Sequence, residues 1–165
     1  MKKYKVLFCD LDGTLIETIS GETFPKGIWD MKIKFDVLDA IKKLAPEYVF
    51  IVSNQGGIEK GFVDEDLFNG KISYICDCIY DYCNITEVSY IYEPSNDINN
   101  NKRKPNSGML EECLELCSNI NKIDMLMIGD ASGLEGQFSD SDKKTAENFG
   151  IDYFDVNKFV KLYNN

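Results

Sequence analysis

Short runs of apolar residues alternate along the chain with segments in which apolar residues recur every three or four positions. The short runs predict five β-strands, at 4–9, 48–53, 88–92, 124–128 and 151–154. The segments with helical spacing predict helices over 37–44, 67–79 and 109–117. Strands that alternate with helices form mostly parallel sheets covered on both faces. The pattern therefore predicts an α/β fold, a Rossmann-like three-layer sandwich around a central, mostly parallel five-stranded sheet.

One segment, 14–30, departs from this alternation. Its sequence "TLIETISGETFP" (14–25) reads as two short strands around Ser20 and Gly21. We therefore predict a small β-hairpin flap, over about residues 14–27, inserted after the first strand.

Polar side chains follow the ends of four predicted strands, which is the edge where ligands bind in such sheets. These residues are Asp10 and Asp12, Ser53 and Asn54, Lys104, and Asp130. Each one alone is typical of a helix cap, a turn or a solvated loop charge. Their joint appearance at successive strand ends indicates a functional site.

Composition narrows the range of functions. A chain of 165 residues with 44% hydrophobic content is typical of one globular domain, and we expect a single domain over 1–165. The net charge of −10 argues against broad binding to nucleic acid or anionic membranes. A local positive mouth is still compatible with the sequence, because several cations fall in or beside predicted loops: Lys26, Lys60, Lys102, Arg103, Lys104, Lys143 and Lys144.

The chain contains no histidine. This excludes Ser-His-Asp and Cys-His nucleophile pairs and every histidine-bearing zinc site. The six cysteines lack a zinc-binding arrangement, since Cys76 and Cys78 are two residues apart on a predicted helix and point in different directions. We expect reduced, packing cysteines and no zinc. No apolar run is long enough to span a membrane, and the first strand begins so early that we expect no targeting segment.

The segments "DLDGT" (10–14), "VSNQ" (52–55), "RKP" (103–105) and "IGD" (128–130) resemble, in order, the four motifs of the haloacid dehalogenase (HAD) phosphatase superfamily. The resemblance implies that Asp10 is a nucleophile that becomes an aspartyl phosphate. It implies that Asp12 protonates the leaving oxygen and later activates water. Ser53, Asn54, Arg103 and Lys104 would contact the substrate phosphate, and Lys104 would also neutralise charge during transfer.

The same resemblance implies a metal ion. Several carboxylates beside a dianionic phosphate require a hard cation with oxygen ligands, for which Mg²⁺ is suited. The implied ligands are the carboxylates of Asp10 and Asp130 and the main-chain carbonyl of Asp12.

Within the superfamily, the chain most resembles the 3′-phosphatase domain of polynucleotide kinase/phosphatase proteins. The matching segments are "SGETFP" (20–25), "SNQGGIEKG" (53–61), "RKPNSGM" (103–109), "GDASG" (129–133) and "FSDSDKKTAENFGI" (138–151). The chain departs from that family at Leu134, Lys60 and Lys143, where arginines are usual, and at Gln137, where aspartate is usual. Because lysine lacks the bidentate grip of arginine, a weaker hold on a nucleic-acid backbone is expected. There is no P-loop sequence, so no 5′-kinase activity is expected.

Alternative functions fit less well. A small-molecule phosphatase acting on a sugar phosphate, histidinol phosphate or nucleotide shares the general motifs. The histidinol and heptose enzymes typically carry a Cys/His zinc loop, whereas residues 92–105 contain neither residue. A phospho-accepting receiver domain has its acceptor after the third strand, not the first. A non-catalytic binding module would not need the intact acidic set.

The resemblance implies a phosphorylated substrate, with a nucleic-acid 3′ end as the candidate, and no membrane partner. It does not imply an oligomeric partner, and the sequence leaves the oligomeric state open. The expected location is the cytoplasm, or the nucleus for a eukaryotic or viral source.

Overall fold

The computed structural model describes residues 2–22, 25–117 and 119–164. Within them, the strands are β1 Val6–Cys9, β2 Ile16–Glu17, β3 Lys32–Ile33, β4 Tyr48–Asn54, β5 Glu87–Glu93, β6 Met125–Gly129 and β7 Asp152–Asp155. The α-helices are α1 Phe35–Leu44, α2 Gly56–Glu59, α3 Glu65–Cys83, α4 Gly108–Leu114, α5 Ser141–Phe149 and α6 Val156–Asn164. A single 3₁₀ turn, Lys122–Asp124, leads into β6.

The central sheet has the strand order β5-β4-β1-β6-β7, and all of its pairs are parallel. Its members coincide with the five predicted strands to within one or two residues at each end. Strand β1 lies in the centre, where Phe8 is paired with Phe50 of β4 and Met127 of β6. The predicted α/β sheet is therefore confirmed.

Alternation of side chains along β1 divides the core into two layers. Leu7 and Cys9 belong to a cluster that includes the buried faces of α1, α3 and α6. Val6 and Phe8 belong to a second cluster with residues of α4 and α5 on the opposite face. The helices thus cover both faces of the sheet, and the three-layer sandwich is confirmed.

The flap differs in detail from its prediction. Ile16 of β2 pairs with Ile33 of β3 in an antiparallel ladder, so the two strands enclose 18–31 instead of turning at Ser20 and Gly21. The buried carboxylate of Asp30 explains the wider loop, because it accepts hydrogen bonds from the Ser20 N–H and hydroxyl and from the Lys26 N–H. Residues Thr23 and Phe24 of the "SGETFP" segment lie outside the described residues.

Helix ends follow local sequence signals. The Asp64 side chain caps α3 by accepting a hydrogen bond from the Leu67 N–H, and Gly150 ends α5 with a positive φ of 82°. We expected Lys143 and Lys144 in or beside a loop, but both lie inside α5. Each is four residues from its acidic partner along the chain. Among the described residues, no helix combines the length and the apolar character needed to cross a bilayer.

Candidate active site

The carboxyl edge of the sheet brings together two of the predicted strand-end residues in direct contact. Asp10 follows the central strand β1, and Lys104 lies in the loop between β5 and α4. Lys104 Nζ is 2.6 Å from Asp10 Oδ1, and the Thr14 hydroxyl donates to Asp10 Oδ2 over 3.1 Å. Both Asp10 and Lys104 are buried. The pairing joins residues that are 94 positions apart in the chain.

Lys104 is enclosed by oxygen atoms. Besides Asp10, its Nζ donates to Asp142 Oδ1 at 2.7 Å and to the Val52 carbonyl at 3.1 Å, and only 3% of its side chain is exposed. Burial alone would lower the pKa of Lys104, but the charges of Asp10 and Asp142 outweigh it and raise the pKa. The ammonium group is therefore held in its charged form between two carboxylates.

Asn54 fixes the backbone that carries Lys104. Its side-chain oxygen accepts from the Lys104 N–H at 2.9 Å, and its amide donates to the Lys104 carbonyl at 3.0 Å. Arg103 turns away from this contact, since its guanidinium donates to the Ser95 carbonyl at 2.8 Å within the same loop. Ser53 is buried and accepts a hydrogen bond from the Gln55 amide at 2.8 Å. The phosphate-binding roles of Ser53, Asn54 and Arg103 stay predictions.

Asp142, in the first turn of α5, is a site residue that the sequence reasoning did not select. Its second oxygen accepts from the Ala131 N–H at 3.1 Å, and a Cβ placed on Gly129 would lie 2.2 Å from it. Burial, together with the charge of Asp10, raises the pKa of Asp142 to about 6 although Lys104 opposes the rise. A signal was present, because Asp142 is the second aspartate of the quoted "FSDSDKK" segment.

Asp10, Asp130 and Asp142 form a carboxylate cluster. One oxygen from each of the three lies within 4.8 Å of the others. Burial raises the pKa of Asp130 to about 7, and the charges of Asp10 and Asp142 contribute to the rise. Asp130 also packs against the first loop, since a Cβ on Gly13, whose φ is +87°, would lie 2.0 Å from Asp130 Oδ2.

The cluster fits a small divalent cation. Its donors are hard carboxylate oxygens, which Mg²⁺ prefers. Burial, and after it the repulsion between the carboxylates, raises the pKa of Asp130 and of Asp142, and a bound cation would offset both costs. Asp10 and Asp130, both predicted as ligands, belong to the cluster, and Asp142 extends it.

Asp12 is held separately at the mouth of the site. Its Oδ2 accepts from the Gln55 amide at 2.8 Å, and its Oδ1 lies 3.9 Å from Lys71 Nζ. Although 44% of its side chain is exposed, desolvation by the surrounding protein raises the pKa of Asp12, with Lys71 opposing the rise. Leu11, between the two aspartates, is fully buried, as expected for an extended segment that sends alternate side chains to opposite sides.

Besides Lys104, four of the seven cations expected to form a local positive mouth are paired with acids. Lys26 lies 3.6 Å from Glu22, and Lys144 lies 2.7 Å from Asp140. Lys143 and Lys102 pair in the same way with Glu147 and Glu112. These pairs reduce the positive field that unpaired lysines would project toward a polyanion.

Comparison with known proteins shows which family the chain belongs to. The family model described as "Polynucleotide kinase 3 phosphatase" matches residues 5–159. The chain is 30% identical over 174 residues to an "Uncharacterized 20.8 kDa protein in FGF-VUBI intergenic region" of Autographa californica nuclear polyhedrosis virus, covering 98% of this chain and 88% of the viral protein.

A second relative is the "Bifunctional polynucleotide phosphatase/kinase" of Schizosaccharomyces pombe, with 33% identity over 159 residues. The match covers 92% of this chain but only 36% of the yeast protein, so the chain spans about a third of that relative. Among solved structures, the D,D-heptose 1.7-bisphosphate phosphatase from B. bronchiseptica, complexed with magnesium and phosphate, superposes with a TM-score of 0.71 at 18% identity, covering 98% of this chain and 87% of that one.

The structural likeness to the heptose enzyme supports the assigned fold, and the match to the family model supports phosphatase activity. The predicted resemblance to HAD phosphatases is confirmed, and the chain is an enzyme of the phosphatase class. This chain belongs to the polynucleotide kinase 3 phosphatase family of the HAD superfamily.

Proposed function

We propose that the chain removes a terminal 3′-phosphate from a polynucleotide and leaves a 3′-hydroxyl, by way of an aspartyl phosphate on Asp10. The observation that carries the proposal is the buried Asp10–Lys104 contact at the end of the central strand, within a stretch that matches the polynucleotide 3-phosphatase family. The yeast relative, whose name includes a polynucleotide phosphatase, supports the choice of substrate class.

The first half of the reaction forms the covalent intermediate. An Asp10 carboxylate oxygen attacks phosphorus, the bond from phosphorus to the sugar oxygen breaks, and Asp12 gives that oxygen a proton. Lys104 and Thr14 hold the Asp10 carboxylate in place, since they contact different oxygens of it. Ser53 holds a phosphoryl oxygen, and Lys104 offsets negative charge during transfer.

The second half releases phosphate. Asp12, now a carboxylate, takes a proton from water while the water oxygen attacks phosphorus. The bond from phosphorus to Asp10 breaks, which restores the Asp10 carboxylate and frees inorganic phosphate. Asp12 stands at the solvent-exposed mouth, which suits a group that must meet both the leaving group and water.

The groups that would hold Mg²⁺ are the carboxylates of Asp10, Asp130 and Asp142 and the main-chain carbonyl of Asp12. The bound ion would supply positive charge to the phosphate and to the clustered carboxylates. The solved heptose phosphatase contains magnesium and phosphate, which supports this assignment. We expect EDTA to abolish phosphate release and added Mg²⁺ to restore it. Undiminished turnover after thorough metal removal would refute the assignment.

The substrate test compares phosphate release from a 3′-phosphorylated oligonucleotide with release from heptose phosphates and nucleoside monophosphates. We expect kcat/KM for the oligonucleotide to exceed that for the small esters. Asp10→Asn is the matched control, and it should remove turnover of every substrate because it removes the nucleophile. A preference for heptose phosphates, the substrate class named for the similar solved structure, would replace the polynucleotide proposal while leaving the Asp10 chemistry intact.

A further inference from the structure

Lys71 occupies a position where the pattern of α3 calls for an apolar residue. It lies between Phe68, Ile72 and Ile75 on the buried face of the helix, and only 5% of its side chain is exposed. Lysine is rarely buried unless its charge is paired. The partner that the structure provides is Asp12, whose Oδ1 lies 3.9 Å from Lys71 Nζ.

The two oxygens of the Asp12 carboxylate have different neighbours. Gln55 donates to Oδ2 at 2.8 Å and, with the same amide nitrogen, to the Ser53 hydroxyl at 2.8 Å. The buried Lys71 has its Nζ 3.9 Å from Oδ1. The Asp12 carboxylate therefore lies between the Gln55 amide, which also donates to Ser53, and the buried ammonium group of Lys71. Lys71 is separate from the ion pairs that Lys104 makes with Asp10 and Asp142.

We infer that Lys71 is a positioning residue that orients Asp12 and stabilises the negative charge left on it when its proton passes to the leaving group. The inference rests on the proposed function, because it assigns Asp12 the proton transfer. When the bond from phosphorus to the leaving oxygen breaks, that oxygen gains the Asp12 proton and Asp12 becomes anionic. A cation 3.9 Å away, whose own side chain is only 5% exposed, lowers the energy of that anion.

This role predicts a dependence on the leaving group. Phenyl phosphate releases a basic oxygen that needs the proton, whereas 4-nitrophenyl phosphate, of nearly the same size, releases a stable anion that needs it much less. The ratio kcat/KM covers all steps up to formation of the aspartyl phosphate, so it reports the half-reaction in which the proton is given. A residue that only supports folding would affect both esters equally.

The experiment compares the wild-type chain with Lys71→Met, which keeps the length of the side chain and removes its charge. We expect kcat/KM for phenyl phosphate to fall about 10- to 100-fold, less than the 100- to 10,000-fold attributed to general acid catalysis itself, because Lys71 acts through Asp12. For 4-nitrophenyl phosphate we expect only a small loss. Lys71→Arg should bring the ratio of the two values back toward that of the wild type.

Two controls separate the possible outcomes. Lys5→Met, at the opposite end of β1, should change neither ester. In an Asp12→Asn background, Lys71→Met should add no further leaving-group dependence, since its partner is gone. Partial unfolding lowers both values together and leaves their ratio intact.

An unchanged ratio in Lys71→Met would overturn the role of Lys71 and leave the proposed function standing. If the wild-type chain turned over neither ester nor a 3′-phosphorylated oligonucleotide, the proposed function itself would fail, and the role of Lys71 with it.

Discussion

Replacing Lys104 by methionine tests the electrostatic basis of the site. The substitution keeps an unbranched side chain of similar length but removes the cation between Asp10 and Asp142. The two ion pairs, at 2.6 and 2.7 Å, each represent a gross attraction of about 6 kcal/mol at an effective dielectric constant near 20. Much of this is offset by the cost of burying the ammonium group. Because the substitution leaves uncompensated buried carboxylates, we expect the free energy of unfolding to fall by about 3–5 kcal/mol.

Urea titration in EDTA, followed by circular dichroism, measures this loss. Mg²⁺ should reduce this loss, because the variant lacks the competing ammonium group and should bind the cation more tightly than the wild type does. At saturating Mg²⁺, each tenfold gain in affinity of the variant over the wild type recovers about 1.4 kcal/mol. Lys5→Met is the matched control, because it removes an exposed pair with Glu47 at 3.6 Å that we expect to contribute about 0–1 kcal/mol. A loss for Lys104→Met as small as the control's, or one that Mg²⁺ leaves unchanged, would refute the reasoning.

Three further predictions concern the surroundings of the site. Gly13→Ala should lower the free energy of unfolding by roughly 1–3 kcal/mol in urea titrations and slow phosphate release, because the φ of +87° and the proximity of Asp130 Oδ2 both oppose a Cβ. The control is Gly70→Ala in helix α3, which should not destabilise the chain because the space around Gly70 is open. Asp142→Asn should weaken Mg²⁺ binding measured by calorimetry about tenfold or more, since it removes one of three clustered carboxylates, and an unchanged affinity would exclude Asp142 from the metal site. Hydrogen bonds from the Ser20 hydroxyl and the Lys26 N–H lower the pKa of Asp30 to about 2, below its unfolded value, so the stability that Asp30 contributes is present above about pH 4 and is lost as the pH falls through about 2. The stability difference between the wild type and Asp30→Asn should therefore shrink over that interval, and a constant difference would contradict this assignment.

The arrangement of the sheet follows closely from the sequence pattern. The apolar runs at Val6–Cys9 and Met125–Gly129 are bounded by polar residues, so both the strands and the strand ends that carry candidate site residues could be predicted. The length of the loop in the flap could not be predicted, because it depends on the buried acid Asp30. The hydrogen-bond donors to Asp30, Ser20 and Lys26, lie ten and four residues earlier in a polar segment. Local turn signals at Ser20 and Gly21 carry no information about such a contact.

The candidate site shows the same division. Asp10, Lys104 and Asp130 could be predicted because each directly follows, or lies in the loop after, a strand of the parallel sheet. Asp142 escaped prediction because it enters the site from the first turn of a helix, twelve residues after Asp130. Lys71 was not predicted as a site residue because a lysine among apolar helix positions is ordinarily interpreted as solvent-exposed. Its burial depends on Asp12, which is far away in the sequence.

The central place of β1 has a consequence for biosynthesis. This strand leaves the ribosome before the other strands of its sheet, yet its neighbours on the two sides, β4 and β6, come from residues 48–54 and 125–129. At translation speeds of about 5–20 residues per second, the apolar segment Val6–Cys9 waits on the order of ten seconds for its second neighbour. During that interval a nascent chain carries Asp10 at the end of an unprotected strand edge, and a polypeptide cut short before α5 lacks Asp142 and cannot assemble the acidic cluster.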